Sequence, residues 1–150
     1  MNIAIPIEKY KNNKYLFLDP IDNTIIKDSL FHRIILSNNL ICMNNINIKL
    51  DLYNVLIEKY YNKYKCTVDV MSDYYREIVD IEKSILDSIN IEYKHKKFNI
   101  SEQLNTGFIR IFSNIELQNK LYNKFSIILK ISGIWETSDE YGITFKFYIL

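Results

Sequence analysis

A chain of 150 residues can bury about two-thirds of its unfolded surface in one domain, and 48% hydrophobic with 25% charged residues excludes a disordered or fibrous protein. The formal net charge of +1 excludes an argument for nucleic acid from bulk charge, so any cationic chemistry must rest on local placement. No apolar run approaches the roughly 18 residues of a membrane-crossing helix, and Met1-Asn2-Ile3-Ala4-Ile5-Pro6 lacks the basic-then-apolar plan of a secretory signal, so an intracellular protein without a membrane partner is expected.

Within each class the residues are unusual. Ala4 is the single alanine and there are three glycines and two prolines, against an excess of Ile, Asn, Lys and Tyr. The favoured residues have A/T-rich codons, which points to an A/T-rich genome such as that of some viruses, mobile elements or parasites. Cys42 and Cys66 lie far apart in apolar stretches and are expected to be free, buried thiols. No Gly/Ser-rich stretch, proline cluster or charge block interrupts the chain, so residues 1–150 are expected to form one domain.

Strand signals come first along the chain. Residues 14–18 and 31–37 are short aromatic or β-branched runs, separated by the turn chemistry of Asp19-Pro20 and Asp22-Asn23. Residues 40–43 and 46–52 read as strands joined through Asn44-Asn45, a pair that tolerates positive φ and suits a hairpin. In the second run Ile46, Ile48, Leu50 and Leu52 alternate with Asn47, Lys49 and Asp51, so one face is buried and one is wet. Residues 53–60 extend it, and 64–70 return after Tyr61-Asn62-Lys63.

The period then changes. Across residues 73–90, Ile78, Ile81, Ile85, Leu86 and Ile89 recur at spacings of three and four, Ser72 or Asp73 can cap the start, and Asn90 is the exit. This is the one helix predicted. Strands follow at 107–113, 125–134 and 141–149, the last two flanking the polar run Glu136-Thr137-Ser138-Asp139-Glu140. The expected fold is mainly β with one central helix, arranged as an oligonucleotide-binding-like Greek-key barrel, with another α+β sheet fold as the alternative.

Enzymatic patterns are missing. His32 and His95 stand apart from each other and from the cysteines, which excludes a His/Cys zinc spacing. Three separated glycines write no phosphate loop, and no G-x-S-x-G occurs. Pairs such as Asp69 with Asp73, or Glu92 with Lys94, read as solvated surface. No enzyme, cofactor or metal is expected.

The last three strands carry the more specific pattern. Alternation sets Phe108, Arg110 and Phe112 opposite Ile109 and Ile111, Lys130 opposite Ile127, Leu129 and Ile131, and Lys146 and Tyr148 opposite Ile143, Phe145 and Phe147. A face that interleaves rings with cations suits single-stranded nucleic acid, since bases stack on rings and phosphates need positive charge. The same rings can instead pack under the helix or against a second subunit. Trp135, between Gly133 and the acidic run, can stack a base or close one end of the core. Gly133 and Gly142 are expected where the backbone bends or bulges on either side of that loop. Lys59, Lys63 and Lys65, with Tyr60, Tyr61 and Tyr64, form a basic turn that could clamp a strand, and Lys94, His95, Lys96 and Lys97 form a second basic patch.

The run Ile128-Leu129-Lys130-Ile131-Ser132-Gly133-Ile134-Trp135-Glu136-Thr137, followed by Tyr141-Gly142-Ile143-Thr144-Phe145-Lys146, resembles the C-terminal hairpin of small proteins of large DNA viruses and virus-like transposons, and Phe31-His32-Arg33-Ile34-Ile35-Leu36-Ser37 is similar too. The resemblance covers about a third of the chain. It implies single-stranded DNA-binding replication proteins with oligonucleotide-binding barrels. Many such proteins end in a flexible acidic tail, whereas this chain ends in Lys146-Phe147-Tyr148-Ile149-Leu150, which reads as a strand. The expected function is therefore non-catalytic binding of single-stranded DNA in viral or mobile-element replication. Trp135, Tyr141, Phe108 and Phe112 would stack bases, and Arg110, Lys130, Lys146, Lys63 and Lys65 would hold phosphates. The rival expectation is a protein-interaction or structural module, a virion component or host-factor antagonist, that uses the same aromatic face as a homo-oligomeric interface.

Overall fold

A computed structural model describes residues 3–11 and 13–149; Met1, Asn2, Asn12 and Leu150, and with them part of the two terminal readings above, lie outside. The elements run β1 (Ile5–Pro6), a 3-10 turn (Ile7–Lys9), β2 (Lys14–Phe17), β3 (Ile21–Asp22), β4 (Leu30–Ser37), β5 (Cys42–Asn44), β6 (Ile46–Tyr60) and β7 (Lys63–Thr67). They continue with α1 (Asp73–Ser88), β8 (His95–Lys97), α2 (Asn99–Asn105), β9 (Phe108–Phe112), β10 (Lys120–Glu136) and β11 (Glu140–Tyr148). The chain is mainly β, as expected, with two helices in place of one.

Two long strands organise the sheet. β6 and β10 pair antiparallel from Lys120↔Ile57 to Ile131↔Ile46. β6 keeps its core face over 15 residues by changing which residues point inward. Before Asn54 the inward set is Ile46, Ile48, Leu50 and Leu52; after it, Val55 and Ile57. Asn54 has φ 53°, a left-handed conformation that asparagine tolerates and that resets the alternation. The two-residue turn Tyr61-Asn62, with Tyr61 at φ 55°, returns the chain as β7. β9 lies beside β7, and β11 meets β9 in parallel at Phe147↔Ile111 and Tyr148↔Phe112. β11 also pairs with β10, so from β6 the hydrogen bonding runs through β7, β9, β11 and β10 and returns to β6.

β10 changes partner at Gly133. Its residues 120–131 face β6, and Gly133 to Glu136 face β4 through Gly133↔Arg33 and Trp135↔Phe31. A Cβ at position 133 would sit 2.1 Å from the His32 carbonyl oxygen, so only glycine lets β4 approach this closely. The register against β11 also shifts here, the bulge expected at this residue. Gly142 has a different reason. The Trp135 indole lies over it, and a Cβ there would come within 2.7 Å of the ring.

Three local expectations are corrected. Asn45 does take positive φ, at 65°, but the flanking strands do not form a hairpin. β5 pairs with β4 through Leu36↔Met43 while β6 pairs with β10, so the Asn44-Asn45 step is a corner between sheet neighbours. Cys42 is exposed; Cys66 is buried, and burial pushes its thiol up to about 12. The segment between α1 and β9 is not a loop. β8 joins β11 in parallel, and α2 buries Ile100 and Leu104, too few apolar residues to announce a helical period.

The helix α1 is close to its predicted span. Ser72 caps it, accepting from the Tyr75 N–H at 3.4 Å, and Ile78, Ile81, Ile85 and Leu86 enter the core. It ends two residues early because Ile89 is already extended. The core combines these side chains with Ile100 and Leu104 and with the inward residues of β4, β6, β7, β9, β10 and β11. Glu82 is the exception on the buried face. Fully enclosed, its carboxylate accepts from Ile100 N at 2.7 Å, Ser101 N at 2.9 Å and Ser101 Oγ at 2.5 Å, tying α1 to the start of α2. Burial pushes this carboxyl above its usual range, with the donors from Ser101 and Ile100 pulling the other way.

Candidate nucleic-acid interface

Alternation in β7, β9 and β11 sorts their side chains cleanly. Tyr64, Cys66, Ile109, Ile111 and Phe147 point inward. Lys63, Lys65, Phe108, Arg110, Phe112 and Lys146 take the other face, with Tyr148 half-buried at its edge. Because β9 lies between β7 and β11, the cations of the flanking strands come over its rings. Lys65 Nζ stands 4.0 Å from the Phe108 centroid and Lys63 Nζ 4.8 Å from that of Phe112. From the other side Lys146 Nζ approaches Phe112 at 5.4 Å and Tyr148 at 5.7 Å. These are cation–π distances, and Phe108 and Phe112 each keep 37% of their surface exposed.

The cross-strand pairs on this face are of like charge. Lys65 stands directly opposite Arg110 across β7–β9, and Lys130 stands directly opposite Lys146 across β10–β11. Such pairs destabilise a sheet unless an anion joins them. Glu58 faces Lys65 from β6 without pairing to it, and among the described residues none of Lys63, Lys65, Arg110, Lys130 and Lys146 has an ion-pair partner. A cavity of about 530 Å³ opens at one end of the face, lined by Lys65, Phe108, Arg110, Tyr60 and Gln103 together with the carboxylate residue Glu102. Gln103 of α2 accepts from the Arg110 N–H at 2.9 Å, which anchors that end.

Seven of the nine residues read from the sequence thus meet on one surface. Trp135 and Tyr141 do not join them. Trp135 is 9% exposed and Tyr141 3% exposed, so neither offers a free ring to a base. Alternation within one strand could not reveal this, because the Trp135 indole lies over Gly142 of the neighbouring strand and Tyr141 packs in the core cluster, contacts between residues of different elements.

This chain finds no match among family models, curated proteins or solved structures. Several other charged residues pair away from this face. Lys96 pairs with Asp87, and Lys94 Nζ contacts Glu136 Oε2 at 2.7 Å and the Thr137 carbonyl at 2.8 Å, so most of the second basic patch is internally neutralised. His32 Nε2 lies 2.8 Å from the other oxygen of Glu136. Burial alone would raise the Glu136 carboxyl, but the contacts from Lys94 and His32 outweigh it and hold it below its ordinary value. This triad spans β4, β10 and the approach to β8. Among the described residues no group of three or more His, Cys, Asp and Glu side chains gathers at metal-binding distance.

Proposed function

We propose that this protein binds single-stranded nucleic acid, specifically the DNA of a replicating virus or mobile element, on the outer face of β7, β9, β11 and β10. The observation that carries the reading is the pair of like-charge cross-strand contacts, Lys65 with Arg110 and Lys130 with Lys146, set among half-exposed rings. An isolated sheet gains nothing from that arrangement, whereas a polyanion with unpaired bases neutralises the cations and covers the rings together. Bases stack on Phe108 and Phe112 while Lys63, Lys65, Arg110, Lys130 and Lys146 take the phosphates; no bond is made or broken.

The pairing order supports reading the strand ring as a Greek-key barrel. Numbered within the ring as β6, β7, β9, β10 and β11, the strands pair one-two-three-five-four-one, with three and five parallel. In oligonucleotide-binding barrels the face of the second and third strands carries the ligand, and here those are β7 and β9. Both helices fall between ring strands two and three.

Fluorescence anisotropy of a labelled mixed-sequence single strand, titrated at low and at physiological salt with duplex as competitor, tests the reading. The single strand should be preferred, and log K should fall with log salt at a slope of roughly −3 to −4 for five phosphate contacts at about 0.7 each. Phe112→Ala should weaken binding by about 1–3 kcal/mol, the stacking of one base, with the melting transition kept. No binding even at low salt removes the proposal. A homo-oligomer using this same face would oppose cation to cation, so a stable dimer that buries Phe108 and Phe112 without affinity for oligonucleotides would replace it with the interaction-module reading.

A further inference from the structure

The sheet ends at β2, which pairs with β4 on one side and, among the described residues, with no strand on the other. The Leu18 N–H donates to the Arg33 carbonyl at 2.9 Å, so even-numbered residues of this stretch bond toward β4. The backbone N–H and C=O groups of Tyr15 and Phe17 therefore point to the free edge. The outer face beside that edge is apolar. Register sets Leu16 opposite Ile35 and Ile21 opposite Phe31, with Leu18 beside Arg33 between them, and Leu16, Leu18 and Ile21 are each about half exposed. Charge is divided along the strand. Lys11 and Lys14 stand at its start and Asp19 and Asp22 beyond its end, all four exposed and none in an ion pair among the described residues.

We infer that β2 pairs with the β2 edge of a second copy of this chain, antiparallel and centred on Leu16, so that two copies form a two-fold dimer with one continuous sheet. A two-fold axis normal to the sheet keeps Leu16, Leu18 and Ile21 of both copies on one face, where they cover one another. It also sets Tyr15 of each copy opposite Phe17 of the other, so the free N–H and C=O groups meet in a ladder. The basic start of each strand then lies against the acidic end of its mate, once on either side of the axis. Parallel pairing would bring like ends together and put the leucines of the two copies on opposite faces. Each edge satisfies the other, so the contact closes at two copies and does not propagate. The interface shares no residue with the cationic face of β7, β9, β11 and β10, and the inference stands independently of nucleic-acid binding.

Sedimentation velocity of the full chain over a concentration series should show a reversible monomer–dimer equilibrium, weak because the edge is short. Leu16→Lys, at an exposed position, should leave the melting transition in place and the chain monomeric. Lys14→Glu should weaken the dimer by roughly twofold to thirtyfold, since two symmetry-related contacts change sign together. Adding Asp19→Lys to that variant should restore the parent affinity. A chain that stays monomeric up to about 1 mM overturns the inference. So does a dimer that survives Leu16→Lys, or one whose strength does not follow the charge exchange at Lys14 and Asp19.

Discussion

Lys65 and Arg110 face each other across β7–β9 with no ion pair among the described residues to offset their repulsion, an arrangement that costs the native sheet stability. Arg110→Gln should therefore raise stability by roughly 0.2–1 kcal/mol at low salt while weakening single-strand binding. The stabilisation should shrink as salt is added, since screening reduces the same repulsion in the parent. Paired denaturation and binding curves on one variant read both effects, and a variant that loses stability and affinity together would mean Arg110 is structural. Trp135 behaves in the opposite way. Its indole fills the space left by the missing side chain of Gly142, so Trp135→Ala should lose about 3–5 kcal/mol and broaden or abolish the cooperative melt. A variant that melts normally but binds weakly would return Trp135 to the interface.

At the level of elements, the cationic face depends on α2, which sits behind Arg110 through Gln103 and is held to α1 by one carboxylate. Glu82→Gln exchanges one acceptor oxygen for an NH₂ that must face the N–H or hydroxyl donors of Ile100 and Ser101. A buried donor left without an acceptor costs about 1–3 kcal/mol. Chemical denaturation should register that loss, and amide exchange should quicken first at Ile100 and Ser101; unchanged exchange there would show that α2 is anchored by its apolar residues alone. The long strands β6 and β10 owe their length to two local devices. Asn54 resets the alternation without ending β6, and Gly133 lets β10 pass from β6 to β4 without a gap. β6 runs to Tyr60, the end of the extension read at residues 53–60, while β10 starts at Lys120, before the run read at 125–134, because its first residues pair with β6.

Over the whole molecule a net charge of +1 conceals an uneven distribution. Five cations without ion-pair partners among the described residues gather on one face, while the exposed side of α1 mixes Asp73, Glu77, Asp80 and Asp87 with Arg76 and Lys83. The most consequential internal charge is Glu136, which joins β4 through His32 and the approach to β8 through Lys94. Its carboxyl ionises more readily folded than unfolded, so its stabilisation is fully present above the ordinary value of 4.5 and is lost as pH falls through the lower folded value. Glu136→Gln should cost about 1.5–3 kcal/mol at neutral pH, the range for hydrogen bonds to charged groups. The gap to the parent should narrow as pH falls below the ordinary carboxyl value of 4.5 and close once it has passed through the lower folded value. A gap independent of pH would assign the loss to packing and not to ionisation.

Alternation in β9 and β11 and the spacing of α1 were legible along the chain, because each depends on side chains within one element and on a period of two or 3.6, whereas Lys63 and Lys65, read as part of a basic turn, lie on β7. So were the outward rings and cations of β9 and β11. Which strands become neighbours was not legible. The like-charge pairs and the burial of Trp135 and Tyr141 arise from register between residues distant in sequence. The short elements β8 and α2 were equally hidden, since three or seven residues hold too little pattern to stand out and owe their form to β11 and Glu82. The sequence by itself determined which side chains share a strand face; tertiary structure decided which faces are covered and which charges meet, because those depend on contacts that no local period encodes.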